Sequence, residues 1–275
     1  MKPYTFSLRF AFTLSLCCAV ILLGGCPQTR EATLDASNAP NPEGAASTPL
    51  ARIGEFSVTA TPGADNLQTV DVYKNGGSIT QFSDPVRDVA PDIVRHDFPL
   101  PGCTSQKVEI FTGGANCCFG YYILTACPDG QHAAFVKPLD GSMGAPVGSL
   151  RAYPVSDPSF MYYSKEPVSF IRPTSPRFTR YIVFDNGTWR ADRIGEFPAA
   201  YRSLAGKALA DDKMDKTAKA ITVAYYNYMA GDKETPLKSA FRRALPKEYR
   251  NVSASIFEDI KKAAVGFNPV KNIDG

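Results

Sequence analysis

The sequence predicts an α+β fold: an irregular antiparallel β-sandwich or partly closed barrel, followed by a small C-terminal helical region. Three observations predict it. Between residues 52 and 197 the chain runs in short stretches rich in Val, Ile, Phe, Tyr and Thr, broken by Gly, Pro, Asn and Asp, which is the punctuation of strands. The dipeptides Asn75-Gly76, Asp129-Gly130 and Asn186-Gly187 supply residues that accept positive φ, as tight hairpins require. Past Pro198 the apolar period lengthens to that of a helix.

Strands are expected at residues 56–60, 69–73, 78–82, 107–112, 120–125, 133–137, 161–163, 181–184 and 188–191. The first and third turn dipeptides lie between alternating runs and read as hairpins, with Trp189 packing on the sheet just past the third. The three turns recur at similar spacings, but the segments between them share no further pattern, and three units are too few for a closed propeller. Arg-Ile-Gly-Glu-Phe occurs at 52–56 and again at 193–197 with divergent continuations, so a duplicated domain is not expected.

The helical part opens with a short helix over 199–209. A second helix, 215–230, places Ala218, Ile221, Tyr225 and Tyr228 on one face and stops at Gly231. Thr235 and Pro236 make a cap and first turn for a stripe of Leu237, Ala240, Phe241, Ala244 and Leu245. Pro246 can open a last helix with Tyr249, Val252, Ile256, Ile260 and Ala263 on one side before Gly266. The expected organisation is therefore 1–25, 26–50, 51–197 as the β domain and 198–275 as the helical region.

Composition bounds the function. Hydrophobic residues at 44% and charged residues at 21% exclude a disordered, collagen-like or multi-spanning membrane protein. A net charge of +3, part of it Lys2 and Arg9, gives no field that favours nucleic acid.

Residues 1–9 carry Lys2 and Arg9 without an acid, and 10–23 form an apolar run interrupted only by Thr13 and Ser15. The run is shorter than the roughly 20 residues that cross a bilayer, so it reads as a secretory signal peptide. It ends in Leu23-Gly24-Gly25-Cys26, which resembles the lipobox of bacterial lipoproteins. The resemblance implies diacylglyceration of the Cys26 thiol, cleavage between Gly25 and Cys26, and acylation of the new amino terminus with a fatty chain such as palmitate. Cys26 would then fix the protein to a lipid bilayer, since two or three acyl chains bind far more strongly than one. Pro27 stands where the family's inner-membrane retention signal has Asp, so the resemblance implies the outer membrane rather than the inner. Residues 28–50, mainly Ala, Pro, Ser, Thr, Asn and Glu with no aromatic, read as a flexible linker.

Cys17 and Cys18 leave with the signal, and four cysteines remain: Cys103, Cys117, Cys118 and Cys127. Outside the cytoplasm an even set reads as disulfides. Adjacent Cys117 and Cys118 are poor mutual partners, which leaves Cys103 with Cys117 and Cys118 with Cys127, or Cys103 with Cys118 and Cys117 with Cys127. A four-thiolate zinc site lacks its usual paired C-x-x-C spacing. Within residues 107–127, the segment Gly113-Gly114-Ala115-Asn116-Cys117-Cys118 resembles a Gly-Gly-Ala-His-Cys-Cys segment of exported bacterial β proteins, with Asn116 in the histidine position. That resemblance implies no activity. Relatives place an acidic calcium-type loop before the segment, but residues 99–104 contain no acid, so calcium is not supported. No cofactor is expected.

Only His96 and His132 are present, in no paired ligand spacing. His96 adjoins Asp97, with Asp92 and Asp88 nearby, a set from which a general base can be imagined. No nucleophile elbow, S-x-x-K, Walker loop or dinucleotide fingerprint is present. Tyr121-Tyr122, Tyr162-Tyr163 and Tyr225, Tyr226, Tyr228 could present rings to a glycan or peptide, although one of two adjacent strand tyrosines is expected to face the core. Asn186-Gly-Thr188 and Asn251-Val-Ser253 fit a glycosylation pattern that bacterial lipoproteins seldom use. The expected role is a non-catalytic, membrane-anchored envelope protein that binds or scaffolds another envelope protein or a glycan. The alternative is an extracytoplasmic hydrolase assembled around His96 and Asp97.

Overall fold

The computed structural model describes residues 48–113 and 118–273. Cys17, Cys18, Gly25, Cys26 and the linker up to residue 47, and the stretch from Gly114 to Cys117, lie outside the described residues. The described residues form one compact unit.

The first sheet is a meander of β1 (Ala51–Ile53), β2 (Phe56–Pro62), β3 (Gln68–Lys74) and β4 (Gly77–Val86), paired in that order. Next come β5 (Asp88–Pro91), β6 (Arg95–His96), β7 (Thr104–Phe111), β8 (Phe119–Cys127) and β9 (Gly130–Leu139), which form most of a central sheet. A third sheet takes β10 (Ala152–Asp157), β13 (Phe178–Asp185) and β14 (Thr188–Ala191) in the order β10-β13-β14. Between β10 and β13, the strands β11 (Ser164–Lys165) and β12 (Val168–Ser169) make a small hairpin. Four helices follow: α1 (Pro198–Ala210), α2 (Lys216–Met229), α3 (Glu234–Ala244) and α4 (Ser253–Gly266). The chain then returns to the central sheet as β15 (Val270–Ile273), antiparallel to β9. All strand pairs are antiparallel and none of the sheets closes into a barrel, so the α+β sandwich class holds in its open form.

Two of the hairpins follow from their turn residues. Asn75 and Gly76 have φ of 52° and 80°, and Asn186 and Gly187 have 49° and 78°; positive φ at both central positions matches the twist of the flanking strands. The middle turn sits one residue earlier than expected: Cys127 pairs with Gly130, so Pro128 and Asp129 are its central pair. Both copies of Arg-Ile-Gly-Glu-Phe turn at a left-handed glycine, Gly54 and Gly195. The first copy is a hairpin pairing Ile53 with Phe56, and the second a loop ahead of α1.

Period-two alternation places the central sheet between two cores. Tyr122 and Leu124 of β8 pack with Val58, Val70 and Val72 of the first sheet. Their neighbours Tyr121 and Ile123 pack with Tyr153, Ile182 and Trp189 of the third. The opposite face of the third sheet, through Tyr181 and Val183, meets the helices through Tyr201, Ile221, Tyr225, Phe241 and Phe257, and Phe178 at the start of β13 joins the same core. The order is sheet, sheet, sheet, helices.

The expectation that one of Tyr121 and Tyr122 covers the surface is overturned, because both faces of β8 are covered. The expected strand at 161–163 is a turn, with Tyr162 at φ 59°; the strand lies earlier, at β10. Asp215 is the N-cap of α2, its Oδ1 accepting from Thr217 N at 2.8 Å and Ala218 N at 3.0 Å. Pro246 opens only a 3-10 turn over Lys247–Tyr249, and α4 starts at Ser253.

Candidate functional site

The acidic residues around His96 sit where β5, β6 and β7 meet. His96 pairs with Thr104 across the β6–β7 ladder, its exposed ring 3.3 Å from Thr104 Oγ1 through Nδ1. Asp97 holds a left-handed φ of 53°, and its Oδ1 accepts from Gly102 N at 2.9 Å. Asp88 accepts from the backbone N of Val89 at 3.0 Å. Among the described residues no carboxylate bonds the His96 ring, so His96, Asp97 and Asp88 stand as turn and edge contacts.

Asp92 belongs to a different cluster that the sequence did not single out. Lys107 and Glu109, two apart on β7, share the face turned toward the third sheet, because Val108 and Ile110 face the first. The Lys107 ammonium donates to Met143 O at 2.9 Å, lies 5.4 Å from the Tyr121 ring centroid and stands 3.8 Å from Asp92 Oδ2. Asp92 also pairs with Arg95 at 3.5 Å. Tyr121 completes the arrangement, its hydroxyl accepting from Met143 N at 2.7 Å. Together with Pro91 and Ala145, these charges line a hollow of about 330 Å³.

Burial lowers the Lys107 pKa, against the pull of Asp92 and Glu109, and burial raises that of Tyr121. A depressed lysine beside carboxylates is the chemistry of a nucleophile or base. Here, however, lysine and tyrosine are both spent on the backbone of Met143, one on its carbonyl and one on its amide, which fastens the loop between β9 and β10 to the central sheet.

The cysteines are arranged differently from either expected pairing. Cys103 is bonded to Cys127, with Cα atoms 4.1 Å apart. Register is the cause: Thr104 pairs with Ala126, which places the residues just outside that pair opposite one another. Cys118 is also disulfide-bonded, and Cys117 lies outside the described residues. The Cys103–Cys127 bridge removes two thiolates from any four-cysteine zinc site. Among the described residues no group of three or more His, Cys, Asp or Glu side chains could hold a metal ion.

His132 packs against Phe184, ring centroids 5.2 Å apart, and among the described residues its buried Nε2 has no hydrogen-bond partner. Tyr225 and Tyr226 are buried, whereas Tyr162 is exposed, and the half-buried Tyr163 donates to Asp259 at 2.8 Å. Only the Tyr162 ring remains open to a ligand among the adjacent pairs.

A further opening is a groove of about 520 Å³ between β4 of the first sheet and β9 and β15 of the central sheet. Its floor is aromatic, with Phe82 and Phe135 centroids 5.5 Å apart and Tyr122 and Phe135 5.1 Å apart. Lys137 and Lys271 stand on its rim. Sequence reasoning missed it because one wall, β15, pairs with β9 across more than half of the described chain.

No family model matches this sequence, and neither a curated protein nor a solved structure matches it. Among the described residues no helix is long and apolar enough to cross a membrane.

Proposed function

We propose that the protein is a lipoprotein of the bacterial cell envelope, anchored by an acylated Cys26, whose β body and helices bind or scaffold another envelope component without catalysing a reaction. The observation that carries this reading is the order of basic residues, apolar run and Leu23-Gly24-Gly25-Cys26 within the first 26 residues. The leader 1–25 is removed, the outer membrane is the destination, and the linker from Cys26 to Leu50 spaces the body from the bilayer. The binding role is supported by the open groove between two sheets, while the buried charges near Asp92 serve to fasten a loop.

Intact-mass analysis of the mature protein, with membrane fractionation, tests the anchor. A mature chain starting at Cys26 with added acyl mass, and release from the membrane by Cys26→Ser, are expected. An unlipidated product that keeps residues 1–25 would overturn it. His96→Ala and Asp97→Ala test the role: phenotypes are expected to survive both, and loss of an isolated hydrolytic activity would favour the hydrolase instead.

A further inference from the structure

We infer that the groove between β4 and β15 receives an extended, acidic segment of a partner polypeptide, added as a strand to the free edge of β4. This rests on the binding role proposed above and gives it a place and a chemistry. Residues 79–84 of β4 line the groove without a gap, as do residues 271–273 of β15. A sheet face would contribute every second residue, so consecutive lining residues mean that strand edges form the walls. β4 and β15 are the end strands of their sheets, and an end strand carries a row of backbone N–H and C=O groups with no ladder partner.

An incoming strand would satisfy those groups and project alternate side chains to opposite sides. The inward positions meet the aromatic floor of Phe82, Tyr122 and Phe135. The charge of the other positions is set by the rim. Lys271 pairs with Phe135 across the ladder, and Lys137 is two residues from Phe135 on the same strand, so both ammonium groups share the floor's face. Both are exposed, and among the described residues neither has an ion-pair partner. Among the described residues Asp84 is the only carboxylate lining the groove. A segment alternating large apolar with acidic residues matches floor and rim together.

The test uses the mature protein in detergent with synthetic peptides of about ten to twenty residues, long enough for one strand. One alternates Glu with Val and Phe, a second carries Lys in place of Glu, and a third copies residues 28–47 of this chain. The acidic peptide is expected to bind and to slow amide hydrogen exchange at residues 79–84. Lys137→Glu combined with Lys271→Glu is expected to weaken it about tenfold at low salt, with the emission of buried Trp189 unchanged as proof of folding. Binding without protection of β4, or equal binding of the Lys peptide, would overturn the inference. So would protection by the copy of residues 28–47, which makes the chain its own occupant, or peptide-free protection that grows with protein concentration, which makes a second copy the occupant. Acyl mass at Cys26 is read separately: its absence with peptide binding intact removes the envelope address alone, and its presence without binding removes the groove alone.

Discussion

Arg180 donates from Nε to Asp192 Oδ1 at 2.8 Å with both side chains almost wholly buried, and the pair joins the third sheet to three helices. The same guanidinium donates to Tyr225 Oη at 3.0 Å on α2 and to Ala264 O at 2.9 Å on α4. Tyr201 of α1 donates to the other Asp192 oxygen. Burial pushes the Asp192 carboxyl upward against the pull of Arg180, so the pair persists only because each partner satisfies the other. Asp192→Ala leaves a buried guanidinium without its counter-charge and is expected to cost about 3 to 5 kcal/mol, read from urea midpoints. Arg180→Met with Asp192→Leu is expected to recover most of that loss.

The disulfide gives a direct chemical prediction. Proteolysis without reduction should release one linked pair of peptides containing Cys103 and Cys127, and a link from Cys103 to Cys117 or Cys118 would contradict the register of β7 and β8. Replacing both Cys103 and Cys127 by Ala opens a loop with a sequence separation of 24. The loop-entropy account gives a loss of about 3 kcal/mol.

That bridge also marks what was legible in the sequence. The helix over 215–230 and the two Asn-Gly hairpins are legible because each signal and its consequence lie within a few residues, whereas the cap expected at Thr235 lies inside α3, whose N-cap is Lys233. The cysteine partners depended on the register of β7 against β8, and spacing alone carries no register. Tyr121 and Tyr122 were misjudged because a strand covered on both faces hides both residues, which only the third sheet reveals. Lys107 gave no signal, since its partner Met143 lies beyond two strands. The groove was hidden for the same reason: the four residues of β15 become a wall only by pairing with β9.

Tyrosine burial makes alkaline pH the weak side of this fold. Burial pushes Tyr122 and Tyr153 up to about 12 from an ordinary value of 10.0, and Tyr121, Tyr163, Tyr201 and Tyr225 move the same way. Folded tyrosines therefore hold protons that unfolded ones have lost, so stability is complete below pH 10.0 and falls as pH rises toward about 12. Lys107, lowered by burial, works in the opposite direction up to 10.5 but is a single group. Urea midpoints should thus decline steeply above pH 10.0.

Tyr153→Phe isolates one member of that set. The Tyr153 hydroxyl is buried beside Arg95 and Ser105 without a well-aligned hydrogen bond among the described residues, so at neutral pH its removal should leave stability unchanged to within about 1 kcal/mol. The variant should also lose part of the alkaline slope. A destabilised Tyr153→Phe at neutral pH would mean that the hydroxyl has a partner.

Trp189, the only tryptophan, reports separately on two attachments of β14 to the central sheet. Its indole Nε1 donates to Thr125 Oγ1 of β8 at 3.1 Å. Its backbone is gripped by Asn272 of β15, which accepts from Trp189 N at 2.9 Å and donates to Trp189 O at 2.9 Å. Thr125→Val removes the indole's partner inside the core and should shift the emission while leaving β15 in place. Asn272→Ala removes both bonds to the β14 backbone, at about 1 to 3 kcal/mol. It should speed amide exchange across residues 270–273 with the emission unchanged. Should both variants move the emission and the exchange together, the two attachments act as one cooperative unit, and β15 cannot loosen without disturbing the core between the central and third sheets.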